Sequence, residues 1–319
     1  MNLIRAFFLV SALLPLPVLS QAYPIKPIRL VIPWPAGGVT DALTRAVAQA
    51  MSESMGQQIV VDNRPGAGGV IGMALVAKAA PDGYTLVATD QPSHAISATL
   101  YSKLPYDVLG DFESVGMIGG APMVFATNPS LNVKSFPDFI QLVKSNPGKY
   151  SYGSSGNGSI THLAIERLKR QLDLNIVHIP YKGTAPAIQS VLAGESAAAF
   201  GTITGILPHA KSGKLVMLGN SFARRFDQIP DVPPISDYAA GFDMAFYAAI
   251  WAPIKTPKEI VLKLHAELAK ALSQQKVKAV FAAMAAEPGN MNPSQLQEYM
   301  VQDVKLWGEA VRALDLKID

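Results

Sequence analysis

The chain has 319 residues, 49% of them hydrophobic and 16% charged, which is enough for two lobes with cores of their own and too apolar for disorder. Its 27 basic and 24 acidic residues are scattered and form no basic stripe, which argues against nucleic acid as a partner. There is no cysteine, so disulfides, thiol nucleophiles, thiolate metal sites and thiol redox chemistry are ruled out.

Residues 1–22 read as an export signal. Arg5 precedes the apolar run "AFFLVSALL", and Ser20-Gln21-Ala22 forms a small-x-small cleavage site. The apolar core is shorter than the roughly 20 residues a membrane anchor needs, and Pro15 and Pro17 interrupt it. The expectation is cleavage near Ala22 and a periplasmic protein that is not membrane-embedded.

From there, apolar runs alternate with helical patterns. "IRLVIPW" reads as a strand, "DALTRAVAQAMSESM" as a helix, "QQIVVDN" as a strand, "GGVIGMALVAKAA" as a helix and "YTLVATD" as a strand. This order predicts a parallel twisted sheet covered by helices on both faces. The pattern then restarts with the strand "PMVFATNP", the helix "FPDFIQLVKSN", the strand "YSYGSS", the helix "ITHLAIERLKRQL" and the strand "NIVHIPYKG". "APAIQSVLAGE" reads as a helix, "AAAFGT" and "KLVMLGN" as strands, and "FYAAIWAP" as a strand after a proline-rich stretch. Two helical patterns, "PKEIVLKLHAELAKALS" and "PSQLQEYMVQDVKLWGEAVRAL", end the chain. The fold class is therefore α/β in two lobes with a cleft between them. The first lobe is discontinuous, 23–124 and 247–319, the second is 125–246, and the strands at 122–129 and 246–253 are the candidate crossings.

Three strand-to-helix loops share one design. "WPAGGVTD" carries Gly37 and Gly38 into a helix start, where Thr40 and Asp41 could serve as caps. "YGSSGNGSITHL" carries Gly153, Gly156 and Gly158 to Ser159, a good N-cap, and "PYKGTAPAIQS" carries Gly183 and Thr184 into a helix with Pro186 in its first turn. A helix start leaves N–H groups unpaired and carries partial positive charge, and glycine lets an anion approach them closely. In parallel α/β sheets such loops lie at the carboxyl ends of the strands, where ligands bind. The only cation in these loops is Lys182. Recognition of an anion would rest mainly on backbone groups. For "WPAGGVTD" by itself, a plain strand-to-helix connector is an equally good reading.

Other motifs are imperfect. "NRPGAGGVIGMA" imitates a dinucleotide fingerprint, but Ile71 stands where the third glycine belongs and Asn63-Arg64-Pro65 separate the turn from the strand. "YGSSGNG" imitates a serine-hydrolase elbow, with Asn157 where the closing glycine belongs. His162 and Glu166 lie one helical turn apart, which is also an ordinary i,i+4 pair. No metal site, cofactor site or acid/base couple is predicted.

These segments together resemble the receptors of tripartite tricarboxylate transporters, the Bug family of extracytoplasmic solute-binding proteins. The matching pieces are "YPIKPIRLVIPWPAGGVTD", "VVDNRPGAGGVIGMALVAKAAPDGYTL", "LYSKLPYD", "YGSSGNGSITHLAIE", "VHIPYKGTAPAIQSVLAGE", "LPHAKSGKL", "IPDVPPISD" and "WAPIKTPKEIVLKLHAEL", in family order over residues 23–319. The resemblance implies a type II periplasmic-binding-protein fold that closes on its ligand and transfer of a small carboxylate to membrane permease subunits, with the receptor a monomer. It carries ligand contact onto Ala36, Gly37, Gly38, Thr40 and Asp41 in the first lobe. Ser154, Gly156, Gly158, Ser159, His162, Tyr181, Lys182, Gly183 and Thr184 would close from the second.

The chain departs from the family pattern at Trp34, Ala36 and Val39, in Phe200-Gly201-Thr202, and in "ATDQPSHA", which carries Asp90, Gln91 and His94. Trp34, Asp90 and Phe200 are therefore expected to choose among ligands, with Gln91 and Thr202 also in ligand contact, while the backbone of Gly37 and Gly38 holds the shared carboxylate. If Asp90 faces the cleft, it favours a ligand with a cationic nitrogen beside its carboxylate. Two other classes stay open: an exported α/β hydrolase-like enzyme, and a sensor that passes its ligand to a signalling partner.

Overall fold

The computed structural model describes residues 23–318, so the expected export signal lies outside the described residues. The chain begins with β1 (Ile28–Ile32), α1 (Val39–Met55), β2 (Ile59–Asn63), α2 (Val70–Ala77), β3 (Thr85–Asp90), α3 (Gln91–Leu100) and β4 (Phe112–Ala121). One residue, Pro122, separates this from β5 (Met123–Thr127), α4 (Phe136–Lys144), β6 (Ser151–Ser154), α5 (Ile160–Leu172), β7 (Val177–Pro180) and α6 (Thr184–Leu192). Then come β8 (Ala198–Thr202), α7 (Ile203–Lys211), β9 (Val216–Asn220) and β10 (Phe246–Pro253). α8 (Lys258–Ser273), α9 (Gln275–Ala283), β11 (Glu287–Pro288) and α10 (Pro293–Ala313) follow.

The strands form two sheets. The first has the order β11-β4-β10-β3-β1-β2 and the second β7-β6-β8-β5-β9. β1 pairs in parallel with β2 and β3, while β10 lies antiparallel between β3 and β4. The second sheet repeats the plan: β6 pairs in parallel with β7 and β8, and β5 lies antiparallel between β8 and β9. In each sheet the strand that has just crossed from the other lobe runs antiparallel to both of its neighbours.

β1 is buried along nearly its whole length, as a strand covered on both faces must be, and this is why it reads as a continuous apolar run. α1 buries Leu43, Val47 and Met51, one per turn, and ends at Gly56 in the left-handed region at φ 67°. α4 starts with a reciprocal capping box between Ser135 and Asp138.

The sequence reading did not anticipate α3, β4, α7 or α9. β4 contains Gly116, Gly119 and Gly120 and so looks like a loop, but two of these glycines are packing requirements. A Cβ on Gly119 would lie 2.3 Å from the Glu287 carbonyl oxygen, and one on Gly120 would lie 2.3 Å from the Tyr247 ring. α7 holds an internal Pro208, which hides its helical pattern.

The crossings run side by side. Phe246 at the start of β10 pairs with Ala121 at the end of β4, just before the chain passes through Pro122. The Met244 N–H donates to the Ser221 carbonyl (3.0 Å), and the Ser221 N–H donates to the Met123 carbonyl (2.9 Å). Among the described residues, no helix is long and apolar enough to cross a membrane.

Candidate ligand-binding site

A cavity of about 550 Å³ lies between the two sheets, where the strand-to-helix loops converge. The first lobe supplies Trp34 to Ala36, Gly38 to Asp41, Asp90 and Ser93. The crossings supply Ala121, Pro122, Met123 and Phe246, and the second lobe supplies Ser155, Ile160, Thr161, Gly183, Thr184, Gly201 and Thr202. A larger groove of about 790 Å³ runs between α8 and α10, but the first lobe alone lines it.

Five helices start next to the cavity, and three of them cap themselves. The Asp90 carboxylate accepts from the Ser93 N–H (2.9 Å) at the start of α3. Ser159 accepts from the His162 N–H (3.3 Å) at α5, and Thr202 accepts from the Gly205 N–H (3.2 Å) at α7. The remaining two, α1 behind Gly38 and α6 behind Gly183, have no side-chain cap. Gly183 has φ 116°, a backbone that side chains rarely adopt. Gly38 is extended, at φ −79° and ψ 173°, and a Cβ built there meets nothing within 4 Å.

Asp41 sits on the cavity wall but is tied to its own lobe. It accepts from the Gly37 N–H (3.0 Å), from Arg45 (3.0 Å) and from the Asn63 amide (2.9 Å). Burial alone would raise its carboxyl, but these partners outweigh that and hold it below the usual carboxylate range. Asp90 differs. It is fully buried, and burial pushes it up to about 6 against the lowering effect of the Ser93 bonds.

The loop from β6 to α5 is braced from behind. The Ser154 hydroxyl shares a 2.6 Å hydrogen bond with His178 Nε2, and the Gly158 N–H donates to His162 Nδ1 (3.1 Å). The two imidazoles stack with centroids 3.9 Å apart. Burial depresses both, His178 to about 4, with His162 as its next cause. Tyr152 donates to Glu166 (2.6 Å), which Lys169 also holds (2.6 Å).

Of the expected residues, Trp34, Ala36, Gly38, Thr40, Asp41, Asp90, Gly183, Thr184 and Thr202 line the cavity. Gly37, Gln91, Ser154, Gly156, Gly158, Ser159, His162, Tyr181 and Lys182 are not on its wall. Nor is Phe200, which lies in the aromatic core of the second lobe, packed edge-on against Phe125 and stacked with Phe242. Position along β8 accounts for this: only its carboxyl end, at Gly201 and Thr202, reaches the cavity, and a Cβ on Gly201 would itself meet Ile188 and Ile206 of the core. Ser93, Ser155, Ile160, Thr161 and the crossing residues were not singled out in the sequence. The available signal was position, since each sits at a strand end, in a helix's first turn or at a crossing.

The Gly66 to Gly72 segment is a packing device. A Cβ on Gly72 would lie 2.8 Å from the Pro33 Cβ, and one on Gly69 3.3 Å from the Trp34 ring. The segment supports the loop that carries Trp34.

Among the described residues, no lysine, arginine or histidine lines the cavity, and its walls are mainly apolar. The starts of α1 and α6 bring partial positive charge to this wall. Among the described residues, no group of three or more His, Asp or Glu side chains could hold a metal ion.

The model of the Tripartite tricarboxylate transporter family receptor matches residues 43–316. Protein BugT of Bordetella pertussis is 34% identical over 313 residues, covering 98% of this chain and 96% of that one. Among solved structures, an R. palustris protein with adipate is 30% identical, with a TM-score of 0.80 over 93% of this chain and 100% of that one. MatC from Rhodopseudomonas palustris with bound malate is 28% identical, with a TM-score of 0.75 over 91% of this chain and 100% of that one. The structure of periplasmic binding protein BugD is 31% identical, with a TM-score of 0.77 over 93% of this chain and 100% of that one, and the two-lobed architecture is that of this kind of protein. By its fold, its cleft and these similarities, the chain belongs to the tripartite tricarboxylate transporter family of receptors.

Proposed function

We propose that the protein is an exported receptor that captures a small carboxylate in the interlobe cavity. It would hand this ligand to the membrane subunits of a tripartite tricarboxylate-type transporter without chemical turnover. The observation that carries this reading is the pair of uncapped helix starts, α1 at Gly38 and α6 at Gly183, contributed to one cavity by opposite lobes.

The energies suffice without a cationic side chain. A hydrogen bond to a charged group is worth about 1.5–3 kcal/mol net, so four of them reach the roughly 8 kcal/mol of a micromolar ligand. Each helix start adds about 0.3–1 kcal/mol. The two R. palustris relatives were solved with adipate and malate, dicarboxylates whose two acid groups suit two such helix ends.

An enzyme reading has little to stand on. Ser154 contacts His178 but is fully buried, and Ser155, which does line the cavity, shares its hydroxyl with Thr161 (2.9 Å). No histidine lies on the wall to serve as a base.

The test is a thermal-shift screen of the mature protein against carboxylates of two to eight carbons, followed by calorimetry on those that raise the Tm. Binding with no change in the ligand supports the receptor reading. A turned-over ligand, or no binder at all, overturns it.

A further inference from the structure

The cavity holds two carboxylates of its own, and they are not equivalent. Asp41 is neutralised by Arg45 and saturated by Gly37 and Asn63. Among the described residues Asp90 has no cationic partner; its carboxylate is held by the neutral Ser93, through the N–H to Oδ1 and through the Ser93 side chain. A buried carboxylate without a counter-ion is costly, and a plain anionic ligand beside it would add repulsion. That cost disappears if the ligand itself brings the missing positive charge.

We propose that Asp90 is the specificity-determining residue of this receptor, and that it selects ligands in which a protonated nitrogen accompanies the carboxylate. This inference rests on the carboxylate reading above and names the ligand class of the same site. The anionic end of such a ligand sits at the α1 and α6 starts, and its ammonium or ring N–H donates to Asp90 from the β3 end of the cavity. Ser93, on the wall beside Asp90, orients that carboxylate through its N–H and its side chain.

Few other groups titrate near Asp90. Across the sheet, β10 presents Ala248 as its partner. On α3, His94 is buried against Tyr106, Phe112 and Trp251, and burial depresses it to about 3, so it stays neutral. On α1, Asp41 is fixed by Arg45. The two ligand classes should therefore respond to pH in opposite directions. As pH falls through about 6, Asp90 gains a proton, which weakens its hold on a cationic nitrogen and relieves its repulsion of a plain carboxylate.

The experiment uses matched pairs that differ only in an ammonium group: L-glutamate with glutarate, and L-alanine with propionate. Calorimetry is run at pH 7.5 and pH 5 on the wild-type protein and on Asp90→Asn. Asparagine caps helices as well as aspartate does, so α3 is retained and Tm stays put. The expected result is that a nitrogen-bearing member binds at least tenfold more tightly than its partner. Asp90→Asn should remove that preference and flatten the pH dependence. If the plain member of each binding pair is held as tightly or better, the Asp90 assignment falls while the carboxylate reading stands. The same holds if Asp90→Asn keeps the wild-type preference and pH profile. If neither members of these pairs nor the wider carboxylate panel bind, the receptor reading fails with it.

Discussion

The helix starts around the cavity fall into two groups. At α3, α5 and α7 the chain satisfies its own backbone with Asp90, Ser159 and Thr202. At α1 and α6 it places glycine and leaves the first-turn N–H groups without a side-chain cap. Replacing a good cap by glycine costs only a few tenths of a kcal/mol, because water can serve instead. The difference teaches where the chain has reserved hydrogen-bonding capacity for something that arrives from outside, and it does so once in each lobe.

The comparison breaks most sharply if the reserved capacity is filled. Gly38→Asp would give α1 a side-chain cap of its own in a position with room for it. The expected outcome in calorimetry is an affinity loss of about 100-fold, the loss of one or two charged hydrogen bonds, with Tm unchanged or raised. Wild-type affinity in this variant would mean that the anion does not sit at α1.

A smaller effect is expected from Arg45→Ala, which touches no ligand. It removes the partner that neutralises Asp41 and leaves a carboxylate without a counter-ion on the wall where the anion is proposed to bind. Affinity for a carboxylate should drop about tenfold, in the range of a single charged hydrogen bond. The capped helices should behave in the opposite way. Ser159→Ala should cost about 1 kcal/mol of stability in denaturant unfolding, while affinity changes by less than about threefold. A large affinity loss with no loss of stability would move Ser159 into the binding machinery.

The smallest expected effect is on acid stability. His162 and His178 have folded pKa values below the ordinary 6.5, His178 about 4, so they bind protons more readily when the chain is unfolded. Their contribution to stability is present above about pH 6.5 and is lost as pH falls toward 4. Asp90, raised to about 6, and Asp303, raised to about 7 by burial and by Asp243, contribute with the opposite sign. The histidine share is therefore read as the difference between wild type and His162→Gln in Tm against pH. A His162→Gln profile with the same slope as wild type would leave the pair without a role in acid stability.

Much of this architecture was legible in the sequence, because parallel strands covered on both faces must be continuous apolar runs. β10 was read at its observed limits, 246–253, and β1, α1, β5 and α10 were recognised within a few residues. α3 was not, since "DQPSHA" is polar and turn-like; its start signal was nevertheless present in Asp90 as N-cap and Pro92 in the first turn. The glycine loops were recognised as a set, but which of them stay uncapped depends on side-chain geometry. Ser159 was readable as an N-cap and does cap α5, whereas for α1 the first-turn Thr40 and Asp41 offered caps that the structure does not use. Phe200 was expected at the ligand because the neighbouring residues were, but the cavity is reached only at the end of β8, and Phe200 lies one residue too far inside it. Tyr181 and Lys182 precede Gly183 in the same loop without reaching the wall.

Ala121, Pro122, Met123 and Phe246 form both the passage between the lobes and part of the cavity wall. Two tethers running side by side allow the lobes one easy rotation, as a door turns on its pin. Gly38 and Gly183 ride on the two leaves of that door, and the floor between them stays still. The distance between the two anion-holding ends therefore measures how far the door stands open. A ligand that bridges them sets the final angle by its own length, and the receptor's outer shape becomes a gauge of what it carries.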